Sequence, residues 1–294
     1  MRFITDIANA LRTAIYIWRL ITKEDLKNPF KEWQGDKDKP IYVLANGPSL
    51  GEFLEDIEEK WDKYKNAEFF VVNDFVHDSR FTLIKPRYCV MSDPLFFEDT
   101  IYSERGHKAM NALAEKVSWQ MILFIPSLQK ESTYLDPVRQ NPNIKIVTFH
   151  AIPYYSGLES LRHYFYKKGL GNGEFGTVAL NALYAALMLG YKTLYVYGID
   201  HTFFNDIAVN DENVLCFKDK HFYEEETVLR PMICHYPGMD NKPYTMAQFV
   251  AEKALIFKGH LIMEKFAKAI GATIINCTPN SLVDAYERKL YFKM

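Results

Sequence analysis

Residues 45–50 (Ala45, Asn46, Gly47, Pro48, Ser49, Leu50) have the types of an anion-binding turn. Gly47 permits close backbone approach, Pro48 stiffens the turn and Ser49 suits the cap of a following helix. A phosphate would then sit on the backbone N–H groups that the first turn of that helix leaves unpaired. The spacing is neither the GxGxxG fingerprint of dinucleotide folds nor a Walker loop. Carboxylates offer a second chemistry. Asp93 and Asp200 each end an apolar run, where they would bind ribose hydroxyls or a divalent ion. No D-x-D triplet follows a central apolar run and no G-x-S-x-G elbow is present; Asp36-Lys37-Asp38 lies in a polar stretch and reads as solvated. The cysteines, Cys89, Cys216, Cys234 and Cys277, never form a C-x-x-C pair. Their apolar and aromatic neighbours read as packed, reduced thiols, so no metal site is expected and the cytoplasm is the expected compartment.

The elements that must position these residues are legible as alternating runs. Short apolar stretches at 40–45, 67–72, 87–91, 119–125, 144–149, 193–197 and 272–276 read as buried strands. Helical stretches are expected at 52–65, 177–189 (stopped by Gly190) and 246–269. Strands alternating with helices imply an α/β, Rossmann-like fold: a mostly parallel sheet with helices on both faces. Ligands of such sheets bind outside the carboxyl ends of the strands. Residues 46–50, 73–74, 92–93, 198–200 and 279–281 are therefore expected to meet in one crevice. Residues 201–245, rich in His, Tyr, Phe and acids, read as an irregular lid-like insertion into a domain spanning 40–294.

Composition narrows the class. The chain has 294 residues, 48% hydrophobic and 24% charged, which excludes intrinsic disorder and fibrous repeats. Its 35 Lys and Arg against 37 Asp and Glu supply no field for gripping nucleic acid. Aromatics make up 15%, with 21 Phe and 19 Tyr, rings suited to a core and to stacking on sugars and bases. Residues 1–39 stand apart. Phe3, Ile4, Ile7, Leu11, Ile15, Trp18 and Leu20 recur at helical spacing, with Arg2, Arg12, Arg19 and Lys23 against Asp6. Polar interruptions exclude a spanning helix, and no signal-peptide pattern is visible. Two readings stand: an amphipathic helix lying on the inner face of a membrane, or a helix docked on the body or on a second subunit of a homo-oligomer. Residues 24–39, polar with Pro29 and Gly35, read as a linker.

The turn at 46–50 resembles the nucleotide-binding turn of the bacterial sialyltransferases of glycosyltransferase family 42. It is also similar to that of a wider group with the same Asn-Gly-Pro-Ser-Leu turn, including flagellin-glycosylation proteins and archaeal pterin diphosphokinase-like enzymes. The resemblance continues in order: residues 70–74 with Asn73 and Asp74, residues 90–97 with Asp93 where the sialyltransferases have Asn, residues 189–200 ending in Gly198-Ile199-Asp200, and Cys277-Thr278-Pro279-Asn280-Ser281-Leu282. It runs from about residue 40 to 285.

This resemblance implies a metal-independent, inverting transfer, with no cofactor beyond the nucleotide-sugar donor as co-substrate. The acceptor would be a hydroxyl of a cell-surface glycan such as capsule, lipopolysaccharide or a lipid-linked precursor. His221 falls at the lid histidine that acts as general base, a role that an imidazole of pKa ~6.5 can fill near neutrality. His201 and His235 are second choices. Tyr195 matches a phosphate-contacting tyrosine. The second such tyrosine is replaced by Thr202, leaving Tyr223, Tyr236 or Tyr244 as suppliers of that hydroxyl. Asn46, Gly47, Ser49, Asn73, Asp93, Thr177, Gly198, Asp200, Pro279, Asn280 and Ser281 are the expected donor-binding residues. The family's Thr-Ser-Gly motif reads Thr177-Val178-Ala179 here, which leaves the donor open between CMP-sialic acid and a UDP-sugar. The Gly-rich segment 169–176 would approach that donor closely. The rivals are an ATP- and Mg²⁺-dependent diphosphokinase of the pterin type and a non-catalytic nucleotide-binding adaptor in glycan assembly.

Overall fold

The computed structural model describes residues 2–99, 103–154, 156–173, 176–219, 228–233 and 242–290. In chain order the elements are α1 (Arg2–Lys23), β1 (Ile41–Leu44), α2 (Leu50–Glu59), α3 (Trp61–Tyr64), β2 (Glu68–Val72), α4 (Phe81–Ile84), β3 (Tyr88–Val90) and α5 (Ser103–Lys116). They continue with β4 (Met121–Pro126), α6 (Asp136–Arg139), β5 (Ile144–Phe149), α7 (Glu159–Lys167), α8 (Val178–Met188) and β6 (Thr193–Tyr197). The last are β7 (Ile207–Val209), β8 (Leu215–Asp219), β9 (Val228–Pro231), α9 (Met246–Ala269), β10 (Thr273–Asn276) and β11 (Glu287–Arg288).

Eight strands form one parallel sheet in the order β11-β10-β6-β1-β2-β3-β4-β5. The chain starts in the middle at β1, winds outward through β5, then returns to the other side of β1 with β6. Alternation along each strand sorts the core into two layers. Ile41, Val43, Leu194 and Val196 pack under α1, α7, α8 and α9. Leu44, Phe69, Val71, Cys89 and Tyr197 pack under α2 to α6. Burial on both faces is why these strands read as continuous apolar runs.

Three expectations change. The helical stretch at 52–65 is two helices, broken at Lys60 (φ −117°, ψ 39°). The polar stretch 24–39 is no bare tether: Phe30 is buried among Phe124 and Tyr184, and Gly35 N–H donates to the Leu189 carbonyl. With Tyr16 and Leu20 of α1, Phe30 belongs to the same core as the sheet. The insertion at 201–245 is not wholly irregular, because β7, β8 and β9 pair as an antiparallel sheet of their own. Cys89, Cys216 and Cys277 are buried free thiols, as expected; Cys234 lies outside the described residues.

Candidate active site

The strand order reverses between β1 and β6, and there a crevice of about 390 Å³ opens at their carboxyl ends. It is lined by the turn after β1 (Asn46, Gly47, Pro48), the end of β2 (Asn73), the segment after β6 (Gly198, Asp200, His201), the start of α8 (Thr177) and Lys253 of α9. Sequence reasoning expected Asn46, Gly47, Asn73, Thr177, Gly198 and Asp200 in one place, and the fold brings these six together.

Backbone geometry makes the β1 and β6 ends one unit. Ala45 N–H donates to Tyr197 O and Gly47 N–H to Gly198 O, each at 2.9 Å, extending the strand pairing into the turns. Gly198 has φ +74°, and a Cβ there would overlap the Ala45 carbonyl; a Cβ on Gly47 would overlap the Asp200 carboxylate and the Gly198 carbonyl. Asn46 Nδ2 donates to the Val72 carbonyl at 3.1 Å, tying β1 to the end of β2. Asn73 adopts φ +45°, and its Oδ1 is buried without a partner among the described residues. A strained, unsatisfied amide at a strand end is a common mark of a ligand position.

Ser49 and Asp200 have other duties than those expected. Ser49 makes no side-chain cap to α2; its hydroxyl donates to Asp200 Oδ2 at 2.8 Å and its N–H to Asp200 Oδ1 at 3.2 Å. The carboxylate is thus committed to the turn it holds. The α8 end is open by contrast. Thr177 is the N-cap residue, with extended backbone (φ −151°) and no side-chain cap bond, and it lines the crevice together with Val178 and Ala179, the first two residues of this 11-residue helix.

The remaining expected residues are placed elsewhere. Asp93 is exposed and accepts from Leu95 N–H at 3.2 Å, capping the short turn after β3. Pro279, Asn280 and Ser281 do not line the crevice; Ser281 and its neighbour Leu282 brace it from behind. Ser281 Oγ donates to Ile199 O at 2.6 Å, and Leu282 N–H to Asp200 O at 2.9 Å. Tyr195 lies inside β6 on the α2–α3 face, its ring 5.4 Å from that of Tyr42. Strand alternation aims it away from α8, and it does not line the crevice. Tyr244, one candidate for the second hydroxyl, donates to Glu252 at 2.7 Å. His221, His235, Tyr223 and Tyr236 lie outside the described residues.

Sequence reasoning missed the α9 wall. Lys253, Ile256 and His260 share one face of α9 by their spacing; Lys253 and Ile256 line the crevice, and His260 lies buried behind it. Lys253 Nζ pairs with Glu252 at 2.5 Å and lies 4.8 Å from the centre of the Phe203 ring. His201, in the left-handed region at φ +49°, stacks on Phe203 with ring centres 5.0 Å apart and reaches His260. Burial, then the Lys253 cation, push the His201 pKa down to about 4. Among the described residues, no three His, Cys, Asp or Glu side chains come together as a metal-binding group.

No model of a known protein family matches the chain, and no curated protein matches it. Among solved structures it is similar to the MAf glycosyltransferase from Magnetospirillum magneticum AMB-1, at 16% sequence identity and a TM-score of 0.47. That likeness covers 88% of this chain and 35% of the other, so this chain spans about a third of that protein's length.

Proposed function

We propose that this chain is a metal-independent, inverting glycosyltransferase that uses a nucleotide-activated sugar, with CMP-sialic acid or a UDP-sugar as donor. One observation carries the reading: at the β1/β6 switch point, the open N-terminus of α8 and the Lys253 cation face the same crevice as the turn after β1. Both favour an anion, and the turn's glycine lets a phosphate approach the backbone. In this reading the acceptor hydroxyl attacks the anomeric carbon as the bond from that carbon to the phosphate oxygen breaks. The electron pair leaves with the nucleotide, and the hydroxyl proton passes to an imidazole, for which His221 is the proposed base. Fixed N–H groups and Lys253 meet the charge that develops on the phosphate.

A thermal-shift panel of CMP, UDP, GDP, ADP and ATP, each with and without Mg²⁺, tests this. Ligand at 100 times its Kd adds about 2.7 kcal/mol of stability. A shift with CMP or UDP alone supports the transferase and selects the donor class. A response only to ATP with Mg²⁺ replaces it with the diphosphokinase, and silence across the panel removes both.

The acceptor belongs to the same proposal. Among the described residues no helix is long and apolar enough to cross a membrane. α1 buries Thr13, Tyr16 and Leu20 against the body and turns Ile7, Leu11, Ile15, Trp18 and Ile21 outward. Arg12, Arg19 and Lys23 are also exposed. That arrangement suits an anionic lipid surface, where a lipid-linked or cell-surface glycan would be met.

A further inference from the structure

A file of three side chains runs from the crevice wall into the core. His201 Nε2 and His260 Nε2 are 2.9 Å apart, and His260 Nδ1 is 2.8 Å from the Tyr286 hydroxyl. His260 is fully buried and Tyr286 nearly so. Burial holds the His260 pKa well below its ordinary value, so both imidazoles are neutral at pH 7. Two neutral rings that meet through Nε2 must put a proton on one and a lone pair on the other.

The buried end decides which. Among the described residues Tyr286 has one hydrogen-bond partner, His260 Nδ1. The Glu264 carboxylate is near enough to raise the Tyr286 pKa further, yet its buried Oε2 has no hydrogen-bond partner. Were His260 to donate from Nδ1, the phenolic proton would be stranded, a costly arrangement in a buried site. With Tyr286 donating, both buried protons, the phenolic one and that of His260, have an acceptor. His260 keeps its proton on Nε2 and donates to His201, and His201 carries its own on Nδ1. That Nδ1 has no partner among the described residues, and His201 lines the crevice.

We propose that His201 presents a neutral Nδ1–H donor to the leaving phosphate of the bound nucleotide, with His260 and Tyr286 as the positioning residues that fix its tautomer. This rests on the reading of the crevice as a nucleotide site. A donor held in place before charge develops needs no reorganisation when the bond breaks. The left-handed backbone at His201 is the kind of strain such a fixed group requires.

Two measurements test it. Long-range ¹⁵N–¹H correlation spectra at pH 7.5 report imidazole tautomers directly. The expected result is Nε2–H on His260 and Nδ1–H on His201; an Nε2–H or doubly protonated His201 overturns the proposal. Calorimetric titration with inorganic pyrophosphate, CMP and UDP then compares three variants with the wild type. His201→Asn places an amide N–H near the Nδ1 position and tolerates the left-handed backbone, so affinity stays within about threefold. His201→Gln, whose amide lies nearer Nε2, weakens binding by about tenfold or more. Tyr286→Phe, distant from the crevice, leaves His260 Nδ1 unpaired in either tautomer, so the lock is lost: the Nδ1–H form of His260 becomes populated beside the Nε2–H form in the spectra, and affinity falls. A Tyr286→Phe protein with unchanged tautomers and affinity overturns the positioning role. Wild type that binds none of the three ligands overturns the nucleotide reading and the phosphate role with it, while the spectra alone still decide the tautomer lock.

Discussion

The Asp200 carboxylate holds Ser49 twice, accepting from its backbone N–H at 3.2 Å and from its hydroxyl at 2.8 Å. The two residues lie 151 positions apart in sequence, and their bond makes the turns after β1 and β6 one rigid rim. A carboxylate that looks like a ligand in the sequence is therefore a brace. Asp200→Ala removes both acceptors, and hydrogen bonds to a charged group are worth about 1.5–3 kcal/mol. The expected outcome is a lower Tm together with loss of nucleotide response, both read in one thermal-shift titration. Ser49→Ala keeps the backbone bond and should cost less. An Asp200→Ala protein as stable as the wild type would contradict the brace.

Glycines on the two sides of this rim predict opposite signs. Gly198 combines φ +74° with a Cβ path onto the Ala45 carbonyl, whereas a Cβ on Gly51, in the first turn of α2, meets nothing within 4 Å. Gly198→Ala should destabilise by roughly 2 kcal/mol or more, from left-handed strain and overlap together. Gly51→Ala should stabilise by up to about 1 kcal/mol through helix propensity. Chemical denaturation of both variants checks the pair, and equal effects would undo the argument.

How much was legible follows from where the signal lies. The strands at β1, β2 and β6 show as apolar runs because both sheet faces are covered, and α9 shows because its capping box (Thr245 with Gln248) and length are local. α5 does not show: its buried positions are Gly106, Ala109, Met110 and Leu113, mostly small, so its apolar stripe is weak. Phe30 hides in a polar stretch because one buried ring carries no period. In the site, Asn46, Asn73 and Gly198 were found because each sits at a strand end. Lys253, and His260 behind the wall, were not, since only the packing of α9 across α8 brings them there. Tyr195 matched by position, but sequence spacing alone did not reveal that its face of β6 points to Tyr42.

The junction between α1 and the sheet predicts a pH dependence. Glu24 Oε2 and His150 Nδ1 are 3.2 Å apart, both side chains only 3% exposed, and Ser127 and Ala151 donate to the other carboxylate oxygen. Burial raises the Glu24 pKa, but His150, Ser127 and Ala151 outweigh it and leave it below 4.5. Burial lowers the His150 pKa, but the Glu24 carboxylate and the Lys27 carbonyl outweigh it and leave it above 6.5. The Glu24 contribution is present above pH 4.5 and fades as pH falls through its folded pKa. The His150 contribution is present below pH 6.5 and fades as pH rises through its folded pKa. Both act together between about pH 4.5 and 6.5. The Tm gap between wild type and Glu24→Gln should therefore be larger at pH 5.5 than at pH 8.5, and a gap of equal size at both values would contradict the pair.

The outward face of α1 gives the last prediction. Trp18 is 63% exposed and Leu11 62%, while Tyr16 and Leu20, on the opposite side of the same helix, are 5% and 3% exposed. Deleting the helix would confuse the two faces, because Tyr16 packs on Tyr154 and Phe165 and donates to the Leu170 carbonyl. Single substitutions separate them. Trp18→Glu places a charge where only lipid or a partner would feel it, so Tm should change little. Partition into vesicles containing phosphatidylglycerol should fall by about tenfold, since the buried area of one large aromatic ring is lost and one repelled negative charge is added. Tyr16→Ala should do the reverse, lowering stability by roughly 3 kcal/mol or more through the cavity it leaves, with vesicle binding of the folded fraction retained. Sedimentation with vesicles of phosphatidylglycerol or of phosphatidylcholine alone completes the comparison. Binding to both alike would leave the exposed cations without a role. A protein that ignores both and sediments as a dimer dissociated by Trp18→Glu would assign this face to a second copy of the chain.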